Sequence, residues 1–246
     1  MGWIEVLIGA VIVGAVLFLY WWYNKTKEPD DTEKNNMMFI RPKNCHYCTH
    51  GYNGLYHSVI DADSKNKWDI IDIRATDAKK TKIYELIDKY KPASIHGFGH
   101  GAPSIYTGDD EKPIFTSIEC AKTKGKIIYL LSCLTANLLG PAMIATGAKS
   151  YAGFNISWTW LTEGSIMRDP YDDKYAKGFY ESSNELWKAL CDGYTFKQAL
   201  SASVAKYNYW INYWYNSSDP NKNELIKWLA HDRDGLVGLG DMSATL

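Results

Sequence analysis

Residues 126–154, "KIIYLLSCLTANLLGPAMIATGAKSYAGF", decide how the chain folds. "KIIYLLS" (126–132) is a nearly unbroken apolar run, as in a strand buried on both faces of a parallel sheet. Residues 135–147 fit a helix that Gly147 stops and Pro141 kinks. "SYAGF" (150–154) then reads as the next strand. Strand, helix and strand in so short a space make a parallel crossover. Cys133 stands where the first of these strands ends.

The alternation continues on both sides. Upstream, "YHSVID" (56–61) and "WDIIDIRA" (68–75) read as short strands, and residues 77–90 as a helix. That helix has Asp77 as N-cap and Ile83, Leu86, Ile87 and Tyr90 on one face. "PASIHGFG" (92–99) is a strand running into "HGFGHG", and "SIYTG" and "PIFTS" form a small β excursion behind it. Downstream come helices over roughly 176–191, 195–213 and 221–230, then a last strand, "GLVGL" (235–239). The expected fold class is therefore α/β, a mostly parallel sheet flanked by helices.

The ends and the charge bound the rest. At 246 residues, 46% hydrophobic and with a net charge of −1, the chain has no basic stripe and no electrostatic case for nucleic acid. Residues 6–23, "VLIGAVIVGAVLFLYWWY", carry no charge, and eighteen helical residues span about 27 Å, near a hydrocarbon core of roughly 30 Å. Trp3 on one side and Tyr20 to Tyr23 on the other match interfacial belts. Residues 1–23 are thus expected to be a transmembrane anchor meeting the bilayer through residues 3–23, 24–44 a polar stalk, and 45–246 the folded domain. Lys25 and Lys27 follow the span, which puts the domain on the cytoplasmic side of a single-pass protein. Five cysteines, an odd number, argue against a disulfide scaffold.

Sites in open α/β sheets form beyond the carboxyl ends of strands. Two strands here end on reactive residues, one at "HGFGHG" and one at Cys133. On neighbouring strands they would set a thiol against an imidazole that activates it. The expected helix after Cys133 would favour the thiolate, and its backbone N–H groups with that of Gly101 could hold an oxyanion. A phosphate loop is excluded, because no Gly-Lys-Ser/Thr follows. "CHYCTH" (45–50) is a separate cluster: Cys45, Cys48 and His50, with His46 or His57, have ligand-like spacing but no second paired half.

The order of these motifs resembles the caspase-like (clan CD) cysteine peptidases, in particular the gingipain-type and CHAT-type branches. "GHGAPSIYTG" looks like their histidine motif, and "IIYLLSCLTANLLGPAMIATGAKSYAGF" like their cysteine strand, helix and Gly-Ala strand. "KGFYESSNELWKALCDGYTFKQALSASVAKY" and "DGLVGLGDMSATL" resemble their late helices and terminal strand, although the last turn reads Gly-Asp-Met rather than Gly-Asp-Pro. The resemblance covers roughly residues 56–246. It implies a caspase-like sheet, a peptide or protein substrate, Cys133 as nucleophile and His100 as general base and acid. It also implies Gly101 and the Cys133 amide as oxyanion donors, with no metal or other cofactor. His96 lies inside the strand run and is read as packing.

In these families a loop matching residues 155–175 helps form the P1 pocket, but "NISWTWLTEGSIMRDPYDDKY" has no close counterpart. Asp109, Asp110, Glu163 and Asp169 are candidate selectors for a basic P1 residue, with Trp158 and Trp160 as walls. The expected activity is that of a membrane-anchored cysteine endopeptidase acting through a thioester acyl-enzyme. Two alternatives stand beside it: a catalytically silent caspase-like interaction module at the membrane, and a zinc-dependent hydrolase.

Overall fold

The computed structural model describes residues 35–44, 46–164 and 169–246. Residues 3–23, where the sequence leads one to expect a membrane span, lie outside them, as does Cys45. Among the described residues no helix is long and apolar enough to cross a membrane.

A six-stranded sheet forms the centre, in the order β2-β1-β3-β7-β8-β9. Its strands are β1 (Asn35–Arg41), β2 (Trp68–Arg74), β3 (Ser94–Phe98), β7 (Ile127–Leu131), β8 (Ser150–Phe154) and β9 (Leu236–Gly240). Every pair is parallel except β8 with β9. A smaller antiparallel sheet joins β4 (Gly101–Ala102), β5 (Ile105–Thr107) and β6 (Pro113–Thr116), the excursion expected after "HGFGHG". Among the described residues six α-helices accompany them: α1 (His46–Ser64), α2 (Lys80–Tyr90), α3 (Leu139–Ala145), α4 (Ala176–Cys191), α5 (Phe196–Tyr215) and α6 (Lys222–Gly235).

Successive strand residues point to opposite faces, and β7 shows it. Ile127, Tyr129 and Leu131 pack with Phe179, Trp187 and Trp214 of α4 and α5, whereas Ile128 and Leu130 pack with Ile83, Ile87 and Met143 of α2 and α3. Both faces are covered, so the strand needs no polar residues and the sequence shows none. Thr195 closes a capping box at the start of α5: its backbone N–H donates to Gln198 Oε1 at 2.9 Å and its side chain accepts from the Gln198 N–H.

Four expectations are corrected. Residues 35–41, assigned to the polar stalk, are instead β1, between β2 and β3. The apolar run Met37-Met38-Phe39-Ile40 is fully buried, which a solvated stalk would not tolerate. "YHSVID" is not a strand; it lies within α1, whose buried Cys48, Leu55, Val59 and Ala62 recur at helical spacing. Helix α2 starts at Lys80 with Lys79 at its N-cap, and Asp77 belongs to the preceding short 3₁₀ turn. The helix expected over 135–147 is shorter, since residues 133–138 turn before α3 begins at Leu139.

Strand β1 also ties the sheet edge to α1. Arg41 is buried, donates to both Asp72 carboxylate oxygens, with Nε to Oδ1 at 2.8 Å, and donates to the Tyr52 carbonyl of α1 at 2.9 Å. Its guanidinium lies 4.3 Å from the centroid of the Tyr52 ring. A buried charge held this way has its donors satisfied, which removing Asp72 would undo.

Candidate active site

The register of β3 on β7 decides what meets at the sheet's carboxyl edge. Phe98 is aligned with Leu131, so His100 and Cys133 each lie two residues beyond one aligned pair. Adjacent strands run about 4.8 Å apart, and His100 and Cys133 line one cavity of about 260 Å³. Its walls include Phe98, Leu131, Trp158 and Trp160.

Close backbone approach pins the two loops together. A Cβ on Gly101 would lie 2.2 Å from Ser132 Oγ and 2.7 Å from the Cys133 carbonyl oxygen, so only glycine fits beside the cysteine turn. The His100 carbonyl accepts from the Thr107 N–H at 3.0 Å and from its hydroxyl at 3.2 Å, fixing the histidine to β5. Leu134, directly after Cys133, is held in the left-handed region at φ +63°. For a residue with a Cβ this costs about 1–2 kcal/mol, and the Leu134 N–H is bonded to the Ile156 carbonyl at 2.9 Å. The cysteine turn is thereby tied to the loop that carries Trp158 and Trp160.

The thiol and the imidazole each have a further partner. The Cys133 S–H donates to the Trp158 carbonyl at 3.7 Å. His100 is exposed, and its Nε2 lies 3.3 Å from the buried Sγ of Cys48 on α1. Burial pushes the Cys133 thiol above its ordinary pKa, with Asp232 adding to the rise. The expectation of a thiolate favoured by a helix N-terminus is therefore corrected: α3 starts at Leu139, too far along the chain to act on Cys133.

The two histidines of "HGFGHG" have opposite surroundings. His96 is completely buried, its Nδ1–H donating to the Tyr129 carbonyl at 3.2 Å and its ring stacked on Tyr129 at 4.5 Å. Burial takes its pKa down to about 3, so it is a neutral packing group.

Trp158 and Trp160 line the cavity, whereas the acidic candidates do not. Asp109 accepts from the Lys43 N–H at 2.6 Å, and Asp110 accepts from the Lys112 N–H at 3.2 Å in the turn before β6. The Glu163 side chain is exposed while its N–H donates to Asp173 at 3.1 Å. Asp169 is bonded to His57 Nε2 at 2.9 Å, and His57 stacks on Tyr171 at 3.5 Å, clamping the loop before α4 onto α1.

Two residues near the cavity, Asp173 and Asp232, escaped the sequence reading, and a third, His50, entered it only as a candidate metal ligand. Asp173 accepts from the N–H groups of Glu163, Gly164, Tyr175 and Ala176. Burial alone would raise its pKa, but these four donors outweigh it and hold the carboxyl below its ordinary value. Asp232, in α6, is fully buried and accepts from the Thr159 N–H at 3.2 Å. Burial raises its pKa well above the carboxylate range, and its Oδ2 finds no partner among the described residues. His50 lies beneath Trp160 and Tyr180 with both ring nitrogens unpartnered among the described residues, and burial lowers its pKa to about 4. Cys48 and His50, the described part of the ligand-like "CHYCTH" cluster, thus turn to separate neighbours. Among the described residues no three His, Cys, Asp or Glu side chains converge as a metal site would require.

No protein-family model and no curated sequence matches the chain. Solved structures do. The chain is similar to the Arg-specific cysteine proteinase gingipain R, with TM-score 0.55, 14% identity, and coverage of 88% of this chain and 48% of that one. The fold is caspase-like. A complex of the pro- and mature domains of the Porphyromonas gingivalis proteinase matches equally, with TM-score 0.55, 13% identity, and coverage of 88% and 49%. The chain spans about half the length of these structures. The caspase-like assignment concerns the path of the backbone, and it coincides with the motif order read from the sequence.

Proposed function

We propose that this caspase-like domain is a cysteine endopeptidase in which Cys133 is the nucleophile and His100 the general base and acid. The observation that carries the reading is the shared cavity at the aligned carboxyl ends of β3 and β7. Because burial holds Cys133 as the thiol, the reaction begins with proton transfer. The thiol leaves the Trp158 carbonyl, gives its proton to the His100 imidazole, and its sulfur attacks the peptide carbonyl. The N–H groups of Gly101 and Cys133 receive the oxyanion. As the C–N bond breaks, His100 returns the proton to the leaving amine, and a thioester remains on Cys133. Water, deprotonated by the same imidazole, then hydrolyses the thioester to free the acid and restore the thiol. Residues 3–23 are proposed to anchor the domain in a bilayer, with the domain on the cytoplasmic side.

Cys133→Ala should abolish peptide cleavage and covalent labelling by a peptidyl acyloxymethyl ketone. Cys191→Ala should leave both intact, because Cys191 is buried in α4 with its pKa pushed up to about 12. Full turnover in Cys133→Ala would overturn the reading. No turnover and no labelling in the wild type would favour instead a silent interaction module, in which the Cys133 contact with the Trp158 carbonyl is the permanent state of the thiol.

A further inference from the structure

We infer that the cavity beside Cys133 selects an uncharged apolar side chain, that of Leu, Met or Phe, on the acyl side of the cleaved bond. The inference rests on the peptidase reading and adds the substrate class to it.

The lining carries the argument. Phe98, Leu131, Trp158 and Trp160 supply the walls, and Thr159 and Thr162 supply the polar rim. Apart from Cys133 and His100, no described residue that lines the cavity is ionisable. Phe98 and Trp158 are nearly buried, at 5% and 4% exposure, so their rings are set by packing before any ligand arrives. Phe98 sits against α1 where Gly51 leaves room; a Cβ there would fall 1.9 Å from the Phe98 ring. The Trp158 indole N–H is turned inward, donating to the Tyr207 hydroxyl at 3.3 Å, so its polar edge is already satisfied. About 260 Å³ has room for one large side chain. His100 is exposed and must protonate the leaving amine, so the leaving chain departs toward solvent. The apolar walls formed by the nearly buried Phe98 and Trp158 then receive the acyl-side residue.

A basic side chain meets no counter-charge among the described residues that line the cavity. Trp faces attract cations, but a desolvated ammonium or guanidinium also needs a carboxylate. Asp109, Asp110 and Asp169 are engaged elsewhere by Lys43, Lys112 and His57. Glu163 is exposed beside Thr162 but does not line the cavity. Among the described residues Asp232 is the other rival, because it touches the Thr159 N–H from behind the wall. It is fully buried and does not line the cavity, and its burial favours the uncharged carboxyl.

The test uses the full chain and fluorogenic peptides differing only at the P1 residue, with Leu, Met, Phe, Lys, Arg and Asp. The best apolar P1 should exceed each charged one in kcat/KM by about tenfold or more. Thr162→Asp, a loop substitution at the rim, should shift the Lys-to-Leu ratio upward by about tenfold, which separates wall chemistry from misfolding. Cleavage that depends on Cys133 but prefers Lys or Arg, and loses that preference in Asp232→Asn, would overturn the inference and leave the peptidase reading standing. No turnover and no ketone labelling that depends on Cys133 would overturn both.

Discussion

The two faces of the central sheet are built from different materials. Toward α2 and α3, β1, β3 and β7 present Met38, Ile40, Ile95, Ile128 and Leu130 to Ile83, Ile87 and Met143. Toward α1, α4, α5 and α6 they present Phe39, His96, Tyr129 and Leu131 to Trp158, Phe179, Tyr180, Trp187 and Trp214. The first face is mainly aliphatic, with few polar atoms to satisfy. The second is aromatic and holds His50, His96 and Asp232, each with a ring nitrogen or oxygen that lacks a partner among the described residues. Buried polar groups left in this condition each cost about 1–3 kcal/mol. A fold keeps such costs where a site needs them, and the cavity with Cys133 opens on the aromatic side. On the proposed reading the aliphatic face is scaffold and the aromatic face carries the chemistry.

The strongest way to break this division acts at the carboxyl edge, where the histidine loop meets the cysteine turn. Gly101→Ala places a Cβ 2.2 Å from Ser132 Oγ and 2.7 Å from the Cys133 carbonyl, and backbone cannot give way as a side chain tip can. The expected result is a loss in kcat/KM of about 100-fold with the far-ultraviolet circular dichroism unchanged. An alanine variant of wild-type activity would show that the two loops move independently. Ala148→Gly, a change of similar size behind α3 on the aliphatic side, should alter stability by about 1 kcal/mol and leave kcat/KM within about twofold.

The aromatic face should also set how stability depends on pH on the acid side of neutrality, whereas the raised groups of the aliphatic side, Tyr84, Tyr106 and Tyr151, act only at alkaline pH. His50 and His96 have folded pKa values lowered to about 4 and about 3, against roughly 6.5 in an unfolded chain. The unfolded state therefore binds more protons in between, so stability falls as pH drops from 6.5 toward these values. Asp173 and Asp169 face His50 and partly offset the effect. Asp232 works in the opposite sense. Its folded pKa is raised, so its contribution is complete below about 3.9 and declines as pH rises toward the folded value. His50→Phe, set between Trp160 and Tyr180, should flatten the acid limb of Tm against pH. Asp232→Asn should gain on the wild type progressively above pH 4. Parallel curves for all three proteins would remove the aromatic face as the source.

Much of this organisation was legible in the sequence, and the exceptions share a cause. Strands β7 and β8 and helices α4 to α6 were readable because long apolar patterns and turn residues agree with the fold. Strand β1 was not, because its four apolar residues, Met37 to Ile40, sit among Asn, Lys and Arg, and only pairing with β2 and β3 gives them a core. Helix α1 was hidden by Gly51 and Gly54, which weaken helix propensity but let Phe98 and Tyr180 pack close. In the site, the loops of His100 and Cys133 follow from strand register, which the motif order anticipates. Cys48, Asp173 and Asp232 reach the cavity region from separate helices and loops through tertiary packing, and no spacing in the chain encodes that. The Cys48, Leu55, Val59 and Ala62 periodicity was the one available signal.

The smallest expected effect concerns Cys48, where α1 of the aromatic face reaches the imidazole. Its Sγ is buried and lies 3.3 Å from His100 Nε2, a distance at which sulfur and ring nitrogen share a proton. A base whose ring is steadied by a third group needs less reorganisation to meet the nucleophile. On the proposed reading Cys48 is a positioning residue, since it touches the imidazole rather than the substrate. Cys48→Ala leaves the ring without that contact, and kcat should fall by about three- to tenfold with KM nearly unchanged. Cys48→Ser, which keeps a hydrogen-bonding atom in the same place, should recover most of the loss. A purely structural role predicts a different pattern: both variants lower Tm, neither separates kcat from KM, and serine is no better than alanine because it buries a hydroxyl in place of a thiol.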